Sequence, residues 1–456
     1  MKVHFIAIGG SAMHNLAIAL HKKGYRVSGS DDEIFEPSRG RLAKYGLLPG
    51  ETSWNPSNIT DDLDAVILGM HAKGDNPELA EAKKKGLKIY SYPEFLYEQS
   101  REKTRIVVGG SHGKTTITSI ILHVFNYHAV DTDFMVGAQL EGFEVMVKLS
   151  ENTQYMVLEG DEYLSSALDR RPKFHLYKPH IALLSGIAWD HINVFPTFDN
   201  YLEQFRIFID LIEENGTLIY CNNDKTLADI CIGSTRNDLR MIPYSLPDHT
   251  IENGKTYIHH NGRSWPVTIF GKHNLLNLAG AMHVCKSAGI TEEMFLEAVQ
   301  SFKGASNRLE LLAESSDTVV YKDFAHAPSK LKATTQAVKE QYPGRKLIAC
   351  MELHTYSSLN KDFLVQYKNA MENADQAIVF YNPHALKIKR LPDINPEDIR
   401  EAFGGTNLMV INDVEVLKNT IMENKQPDSS FLFMSSGNFG NIDLKAIAAT
   451  LINNKS

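Results

Sequence analysis

Glycines, a lysine and two threonines stand together in one short segment, Gly110-Ser111-His112-Gly113-Lys114-Thr115-Thr116. An apolar run precedes the segment and a predicted helix follows it, so the segment connects a strand to a helix. The backbone N–H groups of such a glycine-rich turn, together with the helix N-terminus, bind phosphate oxygens. Lys114 has the reach to contact β- and γ-phosphates, and the Thr115 hydroxyl can ligate Mg²⁺. The segment therefore predicts a nucleoside triphosphate site, although Val108 stands where a strict Walker A pattern has its first glycine.

A second glycine turn lies near the N-terminus. A predicted strand (3–8) is followed by Gly9-Gly10, a predicted helix (12–22) and a second strand that ends at Asp31. This unit is similar to a dinucleotide-binding turn, except that alanines occupy two of the three glycine positions. Asp31 stands where an acid that binds a ribose is expected. The turn predicts a nucleotide-like ligand, either a dinucleotide or a UDP-sugar, and a purely structural turn stays open.

Carboxylates and histidines follow several predicted strands, at the sheet edge where open α/β proteins bind ligands. Glu159 and Asp161 follow one strand, His191 another, and Asp323 and His326 a third. Glu159 offers the oxygen ligands that Mg²⁺ prefers. Each of these residues also has an ordinary explanation, as part of a solvated acidic loop or as a hydrogen-bonding histidine. Taken singly, they leave the function open.

Strands and helices alternate along the chain and must position these side chains. Apolar and β-branched runs predict further strands at 26–30, 65–69, 88–90, 105–109, 155–158, 181–184, 217–220, 319–322, 346–350, 376–380 and 431–434. Two Asn-Gly pairs, at 253–254 and 261–262, predict β-hairpins. A helix is predicted over 274–288, with Asn274 as its N-cap.

This alternation predicts an α/β protein with a parallel sheet in each of three domains. We expect an N-terminal Rossmann-like domain (1–103), a central P-loop-type domain with a small β-hairpin region (104–305) and a C-terminal Rossmann-like domain (306–456). The length of 456 residues supports this division, because single domains usually have roughly 100–200 residues.

The composition is typical of a soluble globular protein, with 43% hydrophobic and 22% charged residues. The net charge of −8 argues against a nucleic-acid partner. The sequence has no apolar run of about 18 residues, so no membrane-spanning helix is expected. The cysteines are scattered without a C-x-x-C pair, which is typical of reduced thiols in a cytoplasmic protein. These cysteines are Cys221, Cys231, Cys285 and Cys350.

In their order and spacing, the motifs resemble those of the Mur ligase family over essentially the full length of the chain. The segment 110–116 is similar to the ATP loop of that family, Glu159 to its magnesium-binding glutamate and His191 to its second metal ligand. Further on, 273–277 resembles a His-Asn-x-x-Asn stretch, Arg308 an interdomain arginine, and 323–328 an Asp-Tyr-Gly-His-His-Pro-type element.

The resemblance implies an ATP-dependent ligase that phosphorylates the carboxylate of UDP-N-acetylmuramate and lets an amine attack the acyl phosphate. It implies catalytic roles for Lys114, Glu159, His191 and His326, and Mg²⁺ held by Thr115, Glu159 and His191. The implied ATP-binding residues are Gly110, Ser111, His112, Gly113, Lys114, Thr115, Thr116, Asn274, Arg308 and Asp323. The implied UDP-sugar residues are Gly9, Gly10, Ser11, Ala12, Met13, Asp31 and His71. The implied acceptor residues are His326, His354 and Thr355, and Arg308 would engage when the third domain closes.

Two departures bear on the amine acceptor. Family members that add alanine have a Pro-His-Arg-Tyr stretch, whereas 353–356 reads Leu-His-Thr-Tyr, so Thr355 replaces an arginine that could hold a free amino acid's carboxylate. The stretch 161–163 followed by 170–174 is similar to that of members which attach the recovered tripeptide L-Ala-γ-D-Glu-meso-diaminopimelate to UDP-N-acetylmuramate. The tripeptide, in peptidoglycan recycling, is therefore the expected acceptor. L-Alanine, in peptidoglycan biosynthesis, is the alternative.

Two other classes of protein compete with a ligase. The N-terminal turn suits a dinucleotide-dependent oxidoreductase, but its alanines and the separate ATP loop count against that class. A non-catalytic nucleotide-binding regulator would bind ATP without turnover. Lys114, Glu159 and His191 predict hydrolysis coupled to substrate instead.

Overall fold

The computed structural model describes residues 1–137, 145–166, 168–189, 194–305, 307–405 and 407–453. These residues form two compact units, Met1–Leu246 with Leu276–Val299, and Pro247–Leu275 with Gln300–Ser456. The predicted domain boundaries near 103 and 306 stay predictions.

The N-terminal part of the first unit is a parallel sheet of order β2-β1-β3-β4. Its elements are β1 (Lys2–Ile6), α1 (Ser11–Lys22), β2 (Arg26–Ser30), α2 (Ser38–Lys44), β3 (Ala65–Leu68), α3 (Pro77–Lys84), β4 (Ile89–Ser91) and α4 (Tyr92–Gln99). The predicted strand 3–8 is too long at its end, because Ala7 takes a φ of 70° and starts the turn. The turns after β1 and β3 lie at the same edge, since these strands are neighbours.

The rest of the first unit is built on a sheet of order β11-β10-β9-β5-β8-β6-β7. Its elements are β5 (Thr104–Gly109), α5 (Lys114–Tyr127), β6 (Thr132–Met135), β7 (Val147–Lys148), β8 (Tyr155–Glu159), β9 (Ile181–Leu184), α6 (Phe198–Asp210), β10 (Thr217–Cys221), α7 (Lys225–Ile232) and β11 (Arg240–Tyr244). All neighbours are parallel except β6 and β7. Because β5 lies between β8 and β9, the segments after these three strands converge at one sheet edge.

The second unit begins with an antiparallel sheet of β12 (His249–Glu252), β13 (Lys255–His260) and β14 (Arg263–Val267). Both Asn-Gly pairs have positive φ at each residue, as two-residue hairpin turns require, so the predicted hairpins are confirmed. The next helix, α8 (Lys272–Ser287), starts in this unit and ends in the first, where α9 (Glu292–Val299) follows. The prediction that Asn274 caps α8 is wrong, because the helix already begins at Lys272.

A larger sheet of order β15-β16-β20-β17-β18-β19 completes the second unit. Its elements are β15 (Glu310–Glu314), β16 (Thr318–Asp323), α10 (Pro328–Gln341), β17 (Lys346–Leu353), α11 (Lys361–Leu364), β18 (Gln376–Tyr381), α12 (Pro383–Ile388), α13 (Pro396–Phe403), β19 (Leu408–Ile411), α14 (Val414–Glu423), β20 (Ser429–Met434) and α15 (Leu444–Ile452). The strand β15 was not predicted, and it pairs antiparallel with β16. The short connection 315–317 enforces that direction, because a parallel crossover needs a longer one.

Both faces of this sheet are covered. Val319 and Leu347 belong to one apolar cluster, whereas their chain neighbours Val320 and Ile348 belong to another. Successive strand residues point to opposite faces, so each cluster is the core on one face. The four cysteines are buried and form no disulfide. Within the described ranges, no helix combines the length and the apolar character that crossing a membrane demands.

Candidate active site

The predicted phosphate loop lies between the buried strand β5 and the helix α5. Gly110 and Gly113 have φ values of 117° and 81°, which L-residues rarely adopt. A Cβ atom on Gly113 would also clash with Oδ1 of Asn277. The N-cap residue of α5 is Gly113, which makes no side-chain cap hydrogen bond, and the first N–H groups of a helix have no partner within the helix, so they can bind phosphate.

Lys114 forms an ion pair inside this loop. Its Nζ donates to Oε2 of Glu162 and to the carbonyl of Gly110, each at 2.7 Å. The side chain of Glu162 is 1% exposed. Burial lowers the pKa of Lys114, but Glu162 and Asp161 outweigh it, so the pKa lies above its ordinary value. The lysine is therefore a fixed cation beside the glycine turn.

Thr115 and Glu159 lie together beneath the loop. The Thr115 hydroxyl donates to Oε1 of Glu159 at 2.9 Å, and the N–H of Gly137 donates to Oε2 at 2.8 Å. Both side chains are buried. A hydroxyl and a carboxylate oxygen at this separation are the hard donors that Mg²⁺ prefers, so the two residues fit the predicted metal. His191, the third predicted ligand, lies outside the described residues.

The acidic segment after β8 is held by ion pairs, although the side chain of Asp161 is partly exposed. Lys173 donates to Oδ2 of Asp161 at 2.7 Å. Burial opposes ionisation of Asp161, but Lys173 and Lys114 outweigh burial and lower the pKa of the carboxyl to about 2. Sequence reasoning did not assign Glu162 to the site, although Glu162 lies beside Asp161 in the predicted motif.

Ser111 connects the loop to the segment after β9. Its N–H donates to the carbonyl of Gly186 at 3.0 Å, and its Oγ accepts from the N–H of Ala188 at 2.8 Å. The same Oγ is 2.8 Å from the hydroxyl of Tyr201, a buried residue of α6 that was not predicted. The Nδ1 of His112 lies 2.7 Å from the Ser111 carbonyl. The loop and the segment that leads towards 190–193 are thus fixed to each other.

The N-terminal turn has a different organisation. The N–H of Gly9 donates to Oδ2 of Asp31 at 2.7 Å. Asp31 is buried, and burial is the main cause of its raised pKa, which the bond from Gly9 opposes. The carboxylate that was predicted to bind a ribose thus also fixes its own turn.

The other residues predicted to bind the UDP-sugar lie at the same sheet edge. Gly10 immediately precedes the helix α1. Within the first turn of that helix, Ser11 and Ala12 are exposed, whereas the side chain of Met13 is buried. His71 is exposed in the turn after β3.

Three further predicted nucleotide residues lie in the second unit. Asp323 is buried and accepts from the N–H groups of Leu309 and Ala325, both at 2.7 Å. The guanidinium carbon of Arg308 lies 4.6 Å from the ring centroid of Phe324. The side-chain amide of Asn274 donates to the carbonyl of Phe270 at 3.1 Å.

The predicted acceptor residues lie in the second unit, at the carboxyl ends of β16 and β17. The Nδ1 of His326 is 2.8 Å from the Phe324 carbonyl. The hydroxyl of Thr355 accepts from the N–H of Ser358 at 3.1 Å, which is a local turn contact. His354 lies beside the buried carboxylate of Glu352, with 3.9 Å between Nδ1 and Oε1. Glu352 was not predicted, and it also accepts from the N–H of Phe439 at 2.9 Å.

Comparisons with known proteins identify the family. Three family descriptions match the chain, "Mur ligase family, catalytic domain" over residues 2–104, "Mur ligase middle domain" over 108–285 and "Mur ligase, glutamate ligase domain" over 307–437. The chain is similar to the UDP-N-acetylmuramate–L-alanine ligase of Clostridium acetobutylicum, with 30% identity over 83% of this chain and 82% of the relative.

Solved structures have the same fold. A murein peptide ligase from Psychrobacter arcticus matches with a TM-score of 0.64 and 23% identity, over 100% of this chain and 99% of the other. The UDP-N-acetylmuramate-alanine ligase from Thermotoga maritima matches with a TM-score of 0.70 and 20% identity, over 99% and 98%. The predicted three-domain α/β architecture with parallel sheets is confirmed. The chain belongs to the Mur ligase family, whose members are ATP-dependent ligases that form amide bonds and use Mg²⁺.

Proposed function

We propose that this ligase joins L-alanine to the carboxylate of UDP-N-acetylmuramate, with the triphosphate of ATP bound at residues 110–116. The observation that carries this proposal is the full-length similarity to proteins named UDP-N-acetylmuramate–L-alanine ligase, such as that of Carboxydothermus hydrogenoformans, with 27% identity over 98% of this chain. This similarity supports L-alanine as the acceptor better than it supports the tripeptide that the sequence analysis expected.

The chemistry explains why ATP is needed. A carboxylate is a poor electrophile because it is anionic and delocalised. Transfer of the γ-phosphoryl group to the carboxylate gives an acyl phosphate and ADP. The amine then attacks the acyl carbon, the amide bond forms, and phosphate leaves with the electrons of the broken C–O bond.

The loop is suited to phosphoryl transfer, which depends on positioning and on charge stabilisation. The N–H groups at the start of α5 and the ammonium of Lys114 bind the phosphate oxygens in this proposal. Thr115 and Glu159 are the described residues that would hold Mg²⁺, which neutralises phosphate charge when bound. The roles of His191, Asn274, Arg308 and Asp323 rest on the family resemblance.

His326 is the proposed base that takes a proton from the attacking amine. If Nδ1–H donates to the Phe324 carbonyl, Nε2 is the nitrogen that carries the lone pair. A modest base is sufficient, because an α-amine has a pKa of about 8. We assign UDP-N-acetylmuramate to the N-terminal turn, Gly9–Met13 with Asp31 and His71.

The tripeptide is the second candidate acceptor. The observation in its favour is at Thr355, which stands where alanine-adding members have an arginine and whose hydroxyl is engaged in a local turn. Threonine cannot form the two parallel hydrogen bonds by which arginine holds a free amino acid's carboxylate.

ADP release in the presence of ATP and UDP-N-acetylmuramate tests the proposal, with L-alanine and the tripeptide added in parallel reactions. We expect L-alanine to give the larger kcat/KM and a product whose mass exceeds that of the sugar nucleotide by one alanyl group. A larger kcat/KM with the tripeptide would replace the proposed acceptor by the second candidate. Binding of ATP without ADP release under any condition would indicate a non-catalytic regulator instead.

A further inference from the structure

Glu162 is a buried carboxylate beside the phosphate loop, and the proposed mechanism gives it no role so far. Its Oε2 accepts from Nζ of Lys114 at 2.7 Å, and its Oε1 accepts from the hydroxyl of Tyr201 at 3.2 Å. Tyr201 is fully buried in α6 and packs against Phe195 and Phe205. The carboxylate is thus held from two sides by groups on different elements.

The hydrogen bonds around Tyr201 have one consistent direction. A tyrosine hydroxyl has a single proton, and Tyr201 gives it to Glu162. Ser111, whose Oγ is 2.8 Å from the tyrosine oxygen, must then be the donor in that contact. The serine oxygen in turn accepts from the N–H of Ala188. The sequence of donors runs from Ala188 through Ser111 and Tyr201 to Glu162, and Lys114 donates to the same carboxylate.

This series of hydrogen bonds joins three segments whose relative positions matter for the proposed reaction. Ser111 belongs to the phosphate loop, Ala188 to the segment that follows β9, and Glu162 to the segment that follows β8. Lys114 donates to Glu162, the last acceptor of the series. A displacement of Tyr201 would therefore change the position of the lysine as well as that of the loop.

We propose that Glu162 is a positioning residue for the phosphate-binding lysine, and that Tyr201 and Ser111 hold Glu162 in place. This inference rests on the proposed binding of the triphosphate at the loop. Among the described residues, two acceptors take hydrogen bonds from the Lys114 ammonium, Gly110 and Glu162. An ammonium has three donors. Phosphate therefore shares the lysine with Glu162 and does not have to displace it.

The charge of Glu162 has two opposite effects. It fixes the lysine in the orientation that stabilises the transferring phosphoryl group, which favours turnover. It also repels the anionic triphosphate, which disfavours binding. Removal of the charge should therefore slow turnover without weakening ATP binding. Simple damage to the loop would weaken both.

The test compares Glu162→Gln, Tyr201→Phe and the control Tyr177→Phe. Glutamine keeps the size of the side chain and can still accept from Tyr201, but it lacks the charge. The control removes the same hydroxyl group from another buried tyrosine, whose hydroxyl has no hydrogen-bond partner among the described residues. The measurements are kcat and KM for ATP in the complete reaction and the Kd of a non-hydrolysable ATP analogue.

For Glu162→Gln we expect kcat to fall about 10- to 100-fold, which corresponds to one lost charge-assisted hydrogen bond. The Kd of the analogue and KM should stay within about twofold or decrease. Tyr201→Phe should give a smaller fall in kcat, about 3- to 10-fold, again without weaker binding. Tyr177→Phe should match the unmodified chain in all three quantities within about twofold.

An unchanged kcat in Glu162→Gln, or a Kd that rises in parallel with the fall in kcat, would overturn the positioning role. Lys114→Ala separates this failure from failure of the proposed function. If Lys114→Ala lowers kcat strongly while Glu162→Gln does not, only the inference fails. If Lys114→Ala leaves kcat unchanged, the loop is not the triphosphate site, and both the proposed function and the inference are wrong. Circular dichroism and thermal unfolding identify any variant that does not fold. In that case Glu162→Asp takes its place; because it keeps the charge but shortens the reach to Lys114, we expect kcat to fall and the Kd of the analogue to stay unchanged.

Discussion

Two glycine turns of the first unit have the same topology but different side chains beside them. Each follows a buried parallel strand and starts a helix, α1 in one case and α5 in the other. At the first turn, the N–H of Gly9 donates to the carboxylate of Asp31. At the second, the ammonium of Lys114 lies against the carbonyl of Gly110.

The difference shows that a strand–turn–helix unit does not by itself define a ligand. The carboxylate of Asp31 at the first turn suits hydroxyl groups, which can donate to it. A lysine together with a threonine–glutamate pair suits a triphosphate with Mg²⁺. Substitutions in the two turns and in the residues that support them test this difference.

Glu159→Gln should have the largest effect, because it removes the carboxylate charge that would hold Mg²⁺ while it keeps the side chain's size. We expect kcat to fall about 100- to 1,000-fold and the Mg²⁺ concentration for half-maximal rate to rise. The measurement is a Mg²⁺ titration of ADP release at saturating ATP. An unchanged Mg²⁺ dependence would show that Glu159 does not contact the metal.

Gly113→Ala should destabilise the protein more than Gly24→Ala. Both glycines have positive φ, 81° and 91°, so alanine has a backbone cost at each of about 1 kcal/mol. An added Cβ meets Asn277 at Gly113 but finds no atom within 4 Å at Gly24. In Gly113→Ala we therefore expect the free energy of unfolding to fall by about 1–3 kcal/mol more than in Gly24→Ala. Urea unfolding of both variants measures the difference. Equal losses of unfolding free energy would show that the loop accommodates the added methyl group without a steric penalty.

Asp31→Asn should affect the first turn and not the second. Asparagine can still accept from the Gly9 N–H, but it presents no negative charge to a sugar hydroxyl. We expect KM for UDP-N-acetylmuramate to rise about tenfold, while KM for ATP changes less than twofold. Steady-state kinetics with each substrate varied in turn provides the measurement. A larger change in KM for ATP would mean that the two turns do not bind separate substrates.

Glu78→Gln should have the smallest effect, on stability alone. Glu78 accepts from Ser30, which precedes Asp31, and from the N–H of Asn55. Burial raises the pKa of Glu78, but bonds from His4, Ser30 and Asn55 outweigh it, so the folded-state pKa lies below 4.5. The ionised group therefore stabilises the fold above that value, and this contribution is lost as pH falls through the folded-state pKa.

We expect Glu78→Gln to cost about 1 kcal/mol at pH 7 and to reduce the loss of stability on acidification. Urea unfolding at pH 7 and at pH 4 measures both quantities. Glu81→Gln is the control, because Glu81 lies on the same helix in a surface pair with Lys84. An equal response of the two variants to pH would exclude a special role for Glu78.

Local patterns in the sequence predicted the parts of the structure that depend on local interactions. The strands β2 and β9 have the predicted bounds, and both hairpins form where Asn-Gly pairs supply two residues with positive φ. The hydrogen bond between Thr115 and Glu159 agrees with the family resemblance, which implies that both residues hold Mg²⁺. The glycine-rich segment itself predicted that Ser111 and Lys114 lie where a strand leads into a helix.

Features that depend on distant residues were not foreseeable from one sequence. Tyr201 is 90 residues from Ser111, and an aromatic residue in an amphipathic helix normally predicts core packing only. The antiparallel strand β15 has no alternating pattern that separates it from a loop. The early start of α8 was missed because Asn274 is a favourable cap by type, although its amide bonds to Phe270 instead.

The most direct test of the account is isothermal titration of Lys114→Ala with ATP and, separately, with UDP-N-acetylmuramate, together with ADP release in the complete reaction. The account predicts that ADP release falls at least about 100-fold and that ATP binding weakens. It also predicts that the Kd of the sugar nucleotide stays within about twofold of its original value. Undiminished ADP release, or loss of binding of both ligands, would contradict the assignment of the triphosphate to the second glycine turn.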